Sequence, residues 1–171
     1  ALSDLDQVRS LCAHQKCVAV GEVGLDYYWV KTPEERARSR DFFDAQLSLA
    51  EELDLPVIVH DREAHQDCLS IVREHPQVTG VYHCYSGSLE DAKVLVKLGW
   101  MLSFTGVITY KNARKALEVI DWLPMDRMVG ASAAILAPEK CLVLGASGAA
   151  AFAVGVTDLL YARGIRPCAA A

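Results

Sequence analysis

Nothing in the sequence supplies a block of basic residues. Its 17 lysines and arginines are outnumbered by 22 acids, a net charge of −5. Tight non-specific attraction to nucleic acid or to an anionic membrane through bulk charge is therefore excluded, and only a local basic patch can act in that way. Long hydrophobic runs are also lacking. The longest uncharged stretch, 141–157, is interrupted by Gly145, Ser147, Gly148 and Gly155 and falls short of the ~20 apolar residues a spanning helix needs, so no transmembrane segment and no membrane partner are expected. The opening residues ALSDLDQVRS carry acids where a signal or transit peptide carries basic or apolar residues, which predicts a cytoplasmic protein. The six cysteines, at 12, 17, 68, 84, 141 and 168, form no C-x-x-C pair. Their spacing is too sparse for a disulfide scaffold or a zinc knuckle, and reduced, packing cysteines are expected. There is no Pro-, Gln- or Ser-rich tract either. With 52% hydrophobic residues among 171, the chain has enough apolar material for one domain with a sizeable core.

What is present divides near Val129. Residues 1–129 hold 14 basic and 20 acidic side chains, whereas the 42 residues of 130–171 hold only Glu139, Lys140, Asp158, Arg163 and Arg166, together with 13 alanines. The expected organisation is one continuous unit over 1–129 and an Ala/Gly-rich tail over 130–171 that packs on it.

Within the first unit, two kinds of element alternate. Leu2, Leu5, Val8, Leu11 and Cys12 recur at helical spacing, and Val18-Ala-Val-Gly21 follows as a short buried strand. Thr32-Pro-Glu-Glu35 has the form of a capping box with proline at the first helical position, and Phe43, Leu47, Ala50 and Leu53 continue a helix from it. Pro56-Val-Ile-Val-His60 reads as a second strand and Gly80-Val-Tyr-His83 as a third, with a helix through Ala64, Cys68, Ile71 and Val72 between them. Ser88 opens a helix that ends at Gly99, Trp100-Met-Leu-Ser-Phe104 makes a fourth strand, and a last helix over 113–122 precedes Met128-Val129. Strands apolar on both faces, alternating with amphipathic helices, define an α/β protein with a parallel sheet covered by helices.

In such proteins chemistry collects at the carboxyl ends of the strands. The first expected strand ends in Glu22, the second in His60 and the third in His83. One carboxylate and two imidazoles, one per βα unit at equivalent depth, would converge over a barrel mouth as oxygen and nitrogen ligands for Zn²⁺, Mn²⁺ or a mixed site. A single histidine at such a place is ordinarily a satisfied hydrogen-bonding group, and it is the recurrence in register that points to a metal. His65 and His75, on or after a helix, are expected to be solvated. Asp26, just past Glu22, is either an acceptor behind the metal ligands or a turn acid.

Three strings together carry a resemblance: Val18-Ala-Val-Gly-Glu-Val-Gly-Leu-Asp-Tyr-Tyr28, Leu55-Pro-Val-Ile-Val-His-Asp-Arg-Glu-Ala64 and Gly80-Val-Tyr-His-Cys-Tyr-Ser-Gly-Ser88. They resemble the TatD-family metal-dependent deoxyribonucleases of the amidohydrolase superfamily. Phe43, Gln46, Leu47 and Ala50, and later Gly106, Lys111, Asn112, Ala113 and Pro124-Met-Asp-Arg127, are similar to that family's intervening segments. The resemblance covers 1–129. It implies a TIM-type (β/α) barrel, of which this sequence holds about strands four to seven, and a hydrolase that uses two divalent ions, Mg²⁺, Mn²⁺ or Zn²⁺, to cleave DNA phosphodiesters, typically from an end. Carried over position by position, Glu22 is the catalytic carboxylate bridging the two metals, and His60 and His83 are imidazole ligands. Arg62 is either a phosphate contact, for which its planar fork is suited, or a surface partner of Glu63. Lys111 and Asn112 are further candidate phosphate contacts, Asn112 being equally suited to cap a helix.

Two features depart from the family pattern. No H-x-H strand precedes Glu22, and where the family carries E-T-D-x-P-Y the sequence reads Asp126-Arg-Met-Val-Gly-Ala-Ser-Ala-Ala-Ile-Leu-Ala-Pro138, with no acid after Asp126. Fewer metal ligands predict weak metal binding and slow or absent turnover. The alternative function is a non-catalytic metal- or nucleotide-binding remnant. The tail's Cys141-Leu-Val-Leu-Gly-Ala-Ser-Gly148 weakly resembles the first turn of a dinucleotide-binding fold, without the full glycine pattern. A half-barrel would also expose two strand edges, so an oligomer formed through them is expected wherever the tail leaves them uncovered.

Overall fold

The computed structural model describes residues 3–129. The expectations placed on the tail lie outside the described residues. Ten main elements alternate along the chain: α1 (Ser3–Cys12), β1 (Val20–Asp26), α2 (Pro33–Glu52), β2 (Val57–Arg62), α3 (His65–Glu74), β3 (Gly80–His83), α4 (Leu89–Lys97), β4 (Met101–Ser103), α5 (Arg114–Trp122) and β5 (Met128–Val129). Short 3-10 turns occupy Gly106–Thr109 and Met125–Arg127.

All strand pairings are parallel, and the strands lie side by side in chain order, β1-β2-β3-β4-β5. An unbroken sequential order is that of consecutive βα units in a (β/α) barrel, whereas a doubly wound sheet reverses its strand order at a switch point. The described residues are an arc of such a barrel, with β1 and β5 at its two edges. The arc has five strands, because Met128–Val129 pairs with β4 and adds one to the four expected.

Local chemistry explains where the elements begin. The Thr32 side chain accepts from the Glu35 amide and the Glu35 side chain reaches back to the Thr32 amide, so the whole capping box forms, with Pro33 at the first helical position; such a cap contributes about 1 kcal/mol. Hydrogen bonds from Thr32 hold the Glu35 carboxyl below its ordinary range. Ser88 caps α4 in the same way through the Asp91 amide. The last expected helix begins differently. Ala113 is its cap residue and makes no side-chain cap bond, so Asn112 is not the N-cap and lies exposed in the preceding turn.

One face of the sheet carries the core. Val20, Val23 and Leu25 of β1, Val57 and Val59 of β2, Tyr82 of β3 and Leu102 of β4 are buried there. The helices cover them with Phe43, Leu47 and Ala50 from α2, Cys68 and Val72 from α3, Leu95 from α4 and Val119 from α5. Trp100 packs edge-on against Tyr82 at 5.2 Å. Burial pushes the Cys68 thiol and the Tyr82 phenol well above their ordinary pKa values. Four cysteines, 12, 17, 68 and 84, are free among the described residues. His75 is a correction. It is buried, with Nε2 2.8 Å from Asp44 Oδ1 and Nδ1 3.6 Å from Glu51 Oε2. The end of α3 folds back against α2, a contact that periodicity along one segment cannot reveal.

The first two strands also run further than apolar patterning indicates. β1 starts at Val20 and continues through Glu22 to Asp26, and β2 continues past His60 to Arg62. Glu22 is therefore inside a strand and not at its end. The β1–β2 register slips between Gly21 and Val23: Gly21 pairs Ile58 and Val23 pairs Val59, leaving Glu22 as the extra residue of a bulge. Strict alternation would have placed Val20 and Val23 on opposite faces. The bulge returns Val23 to the helix-covered face beside Val59, while Glu22 stays half-exposed. Gly24 then passes so close to β2 that a Cβ there would sit 2.1 Å from the His60 carbonyl oxygen; only glycine permits this pairing.

Candidate metal centre

With the register set, the second face of the sheet follows from the pleat. His60 of β2 and His83 of β3 are direct register partners, and Gly24 of β1 is the partner of His60 on the other side. The two imidazoles therefore stand side by side on the face the helices leave open, both about one-third exposed. Glu22, swung out by the bulge, brings Oε1 to 3.6 Å from His83 Nε2. Asp26, at the end of β1, brings Oδ2 to 3.1 Å from His60 Nε2. Its other oxygen, Oδ1, accepts from the backbone amides of Tyr28 at 3.0 Å and Trp29 at 3.3 Å. Asp26 is thus a turn acid through one oxygen and a partner of His60 through the other.

The ends of β2 and β3 are sharply turned. Glu63, directly after Arg62, and Cys84, directly after His83, have φ of 58° and 49°, the left-handed region that side chains other than glycine seldom adopt. Cys84 is held there because its amide donates to Ser103 Oγ at 3.1 Å and its sulfur lies 2.9 Å from Thr105 Oγ1. Asp61, between His60 and Arg62, points to the covered side and bonds His65 Nδ1 at 2.8 Å. That bond raises the His65 pKa above 6.5 against an opposing effect of burial. His65 is therefore a tied, part-buried residue and not a solvated one.

The remaining candidates are more dispersed. Arg62 makes no ion pair with Glu63; its guanidinium lies over the Tyr28 ring, 3.8 Å from the centroid. Lys111 and Asn112 are exposed in the turn before α5, and no hydrogen bond or ion pair joins them to Glu22, His60 or His83 among the described residues. Tyr28 belongs to the first of the resembling strings, but the sequence reading assigns no role of its own to it and none to Trp29. An acid followed by aromatic residues at the second and third positions beyond it was the available signal, since Asp accepts from amides at that spacing in a turn.

The donors suit a divalent ion in kind. A carboxylate and two imidazoles, Glu22, His60 and His83, are ligand types of Zn²⁺ or Mn²⁺ sites, and Asp26 adds a second carboxylate beside His60. Two donors on one tetrahedral ion at about 2.1 Å lie roughly 3.4 Å apart, and the Glu22–His83 separation of 3.6 Å is close to that value and long for a hydrogen bond. A ligating histidine usually gives its other N–H to a carboxylate, and Asp26 Oδ2, 3.1 Å from His60 Nε2, stands where such a carboxylate would. In number the set is partial. Among the described residues no three His, Cys, Asp or Glu side chains gather at one point, and the four donors stand as two pairs.

The family described as "TatD related DNase" matches residues 1–134. The chain belongs to the TatD-related DNase family. Its relatives include the uncharacterized metal-dependent hydrolase YabD of Bacillus subtilis, 42% identical over 128 residues that cover 74% of this chain and 49% of YabD. The uncharacterized metal-dependent hydrolase YcfH of Escherichia coli is 40% identical over 129 residues, 74% of this chain and 48% of YcfH. The crystal structure of the TatD homologue YjjV of Escherichia coli superposes with a TM-score of 0.67 at 34% identity, over 75% of this chain and 50% of that one. The chain spans about half the length of the curated relatives it matches. No helix among the described residues is long and apolar enough to cross a membrane.

Proposed function

We propose that this chain carries part of the metal centre of a divalent-metal-dependent phosphodiesterase acting on DNA, with Glu22, His60 and His83 as ligands and Asp26 as the residue that orients His60. The observation that carries the reading is the register pairing of His60 with His83 beside the bulged Glu22, on the open face of a parallel sheet. The names of its relatives, metal-dependent hydrolases, agree with it. When bound, the divalent ions lower the pKa of coordinated water and neutralise charge on the phosphoryl oxygens. This chain's residues supply the rest. Glu22 brings a negative charge to the ions, His60 is held in one tautomer by Asp26, and Arg62 offers its N–H edges to a phosphate while its flat face rests on Tyr28. Lys111 and Asn112 belong to the substrate side only if bound DNA reaches their turn.

The separation of the donors into two pairs favours a second reading, metal binding without turnover. Release of nucleotides from an end-labelled single strand, measured with added Mn²⁺, Zn²⁺ or Mg²⁺ and again with EDTA, decides between them. The nuclease reading expects metal-dependent hydrolysis that Glu22→Gln cuts at least 100-fold. Saturable metal binding by calorimetry, with no hydrolysis at any metal concentration, would replace it with the second reading.

A further inference from the structure

Beyond the donors, the carboxyl end of β1 holds an aromatic cluster that the metal chemistry does not use. Trp29 is 72% exposed, the most exposed of the large apolar side chains among the described residues, and Tyr28 beside it is 40% exposed. They are not loose. Their rings meet edge to face at 4.8 Å and 87°, and Asp26 Oδ1 accepts from both backbone amides. Arg62 lies on the Tyr28 ring at 3.8 Å, Lys31 Nζ is 5.3 Å from the same ring, and Arg36 lies 4.2 Å over the adjacent Tyr27. Such cation–aromatic contacts occur roughly once per 70–80 residues in proteins; three on two consecutive tyrosines mark a concentrated patch. In a chain of net charge −5, this patch gathers two cations on the exposed Tyr28 ring and a third on the buried Tyr27 ring beside it.

From this arrangement we infer that Trp29, backed by Tyr28 and Arg62, is a stacking surface for one unpaired nucleobase of the strand whose phosphate enters the candidate centre. The inference rests on the DNA reading above and adds a contact to it. Exposed rings interleaved with cations are the means by which proteins hold single-stranded nucleic acid: the cations follow the backbone and each ring face takes a base of any identity. A purely apolar partner would gain nothing from Arg62, Lys31 and Arg36. A base inside a duplex has both faces covered by its neighbours, so the surface selects a frayed end or a single strand. Asp26 connects the two regions, because the carboxylate that holds His60 through Oδ2 fixes the start of the aromatic loop through Oδ1. A base seated on Trp29 therefore sets the position of its own phosphate relative to His60.

The test compares binding of two labelled strands by fluorescence anisotropy, an oligothymidylate and an equally long strand of abasic units, for the unmodified protein, Trp29→Ala and Trp29→Phe. The exposure of Trp29 makes all three proteins fold alike, which circular dichroism checks. The unmodified protein is expected to prefer the intact strand about tenfold, the magnitude of one base–aromatic stack. Trp29→Ala is expected to bring that ratio close to one, and Trp29→Phe to restore most of it. An intact-to-abasic ratio unchanged by Trp29→Ala would overturn the stacking inference and leave the nuclease reading standing. Failure of the unmodified protein to bind or cleave either strand would remove the DNA reading and the stacking surface with it.

Discussion

The two faces of the sheet are made from neighbouring residues of the same strands, and they differ in almost every physical respect. On the helix-covered face Leu25, Val59, Tyr82 and Leu102 are buried against Phe43, Leu47, Val72 and Leu95. One step along the pleat, the open face presents Glu22, Asp26, His60 and His83, all part-exposed. The covered face is specified by volume and apolar area, so neighbouring residues of similar size can replace one another at modest cost. The open face is specified by single atoms: the register that brings His60 beside His83, and the one-residue slip that swings Glu22 toward His83. Stability is concentrated in the first, and the candidate chemistry in the second.

That separation can be broken in order of effect. Phe43→Ala, in the covered face, should cost about 3–5 kcal/mol of unfolding free energy. Glu22→Gln, on the open face, should cost less than about 1 kcal/mol. Urea titrations of the two variants check this, and equal losses would mean that the faces are not energetically distinct. A smaller effect sharpens the open face itself. Asp26→Asn keeps an acceptor for the Tyr28 and Trp29 amides but removes the charge facing His60, and metal affinity by calorimetry should fall about 10–100-fold with little change in stability. An unchanged affinity would detach Asp26 from the centre.

The smallest effect lies between the faces, at His65. Asp61 raises the folded-state pKa of this histidine above its unfolded value near 6.5, so the folded state binds the proton more tightly. Its contribution is fully present below the unfolded pKa and is lost as pH rises through the folded one. With the ring part-exposed, the size is that of a weak ion pair, below about 1 kcal/mol. His65→Gln should thus be less stable than the unmodified protein at pH 5.5, with the gap narrowing by pH 8.5 in paired denaturation curves. A gap that widens with pH would show that His65 is held neutral.

How far each region could be read from the sequence follows the same division. The capping box at Thr32–Glu35, the buried strands around Val57-Ile-Val59 and Tyr82, and the stop at Gly99 are local signals of periodicity and backbone chemistry, and the structure realises each. The polar residues beyond Glu22 and His60 look like loop when read one strand at a time. They are strand because β1 and β2 pair with each other as far as Asp26 and Arg62, which supplies the backbone hydrogen bonds that no isolated segment can make.

By itself, the sequence determined the alternation of elements, their caps, the parallel α/β class and the residue types at the strand ends, since each depends on neighbours within a few positions along the chain. Only the tertiary structure decided the bulge at Glu22, the pairing of His60 with His83, the double use of Asp26, the burial of His75 and the placement of Arg62 on Tyr28. Those depend on register and on contacts between segments about 20 to 40 residues apart, where a one-residue slip moves a side chain to the opposite face.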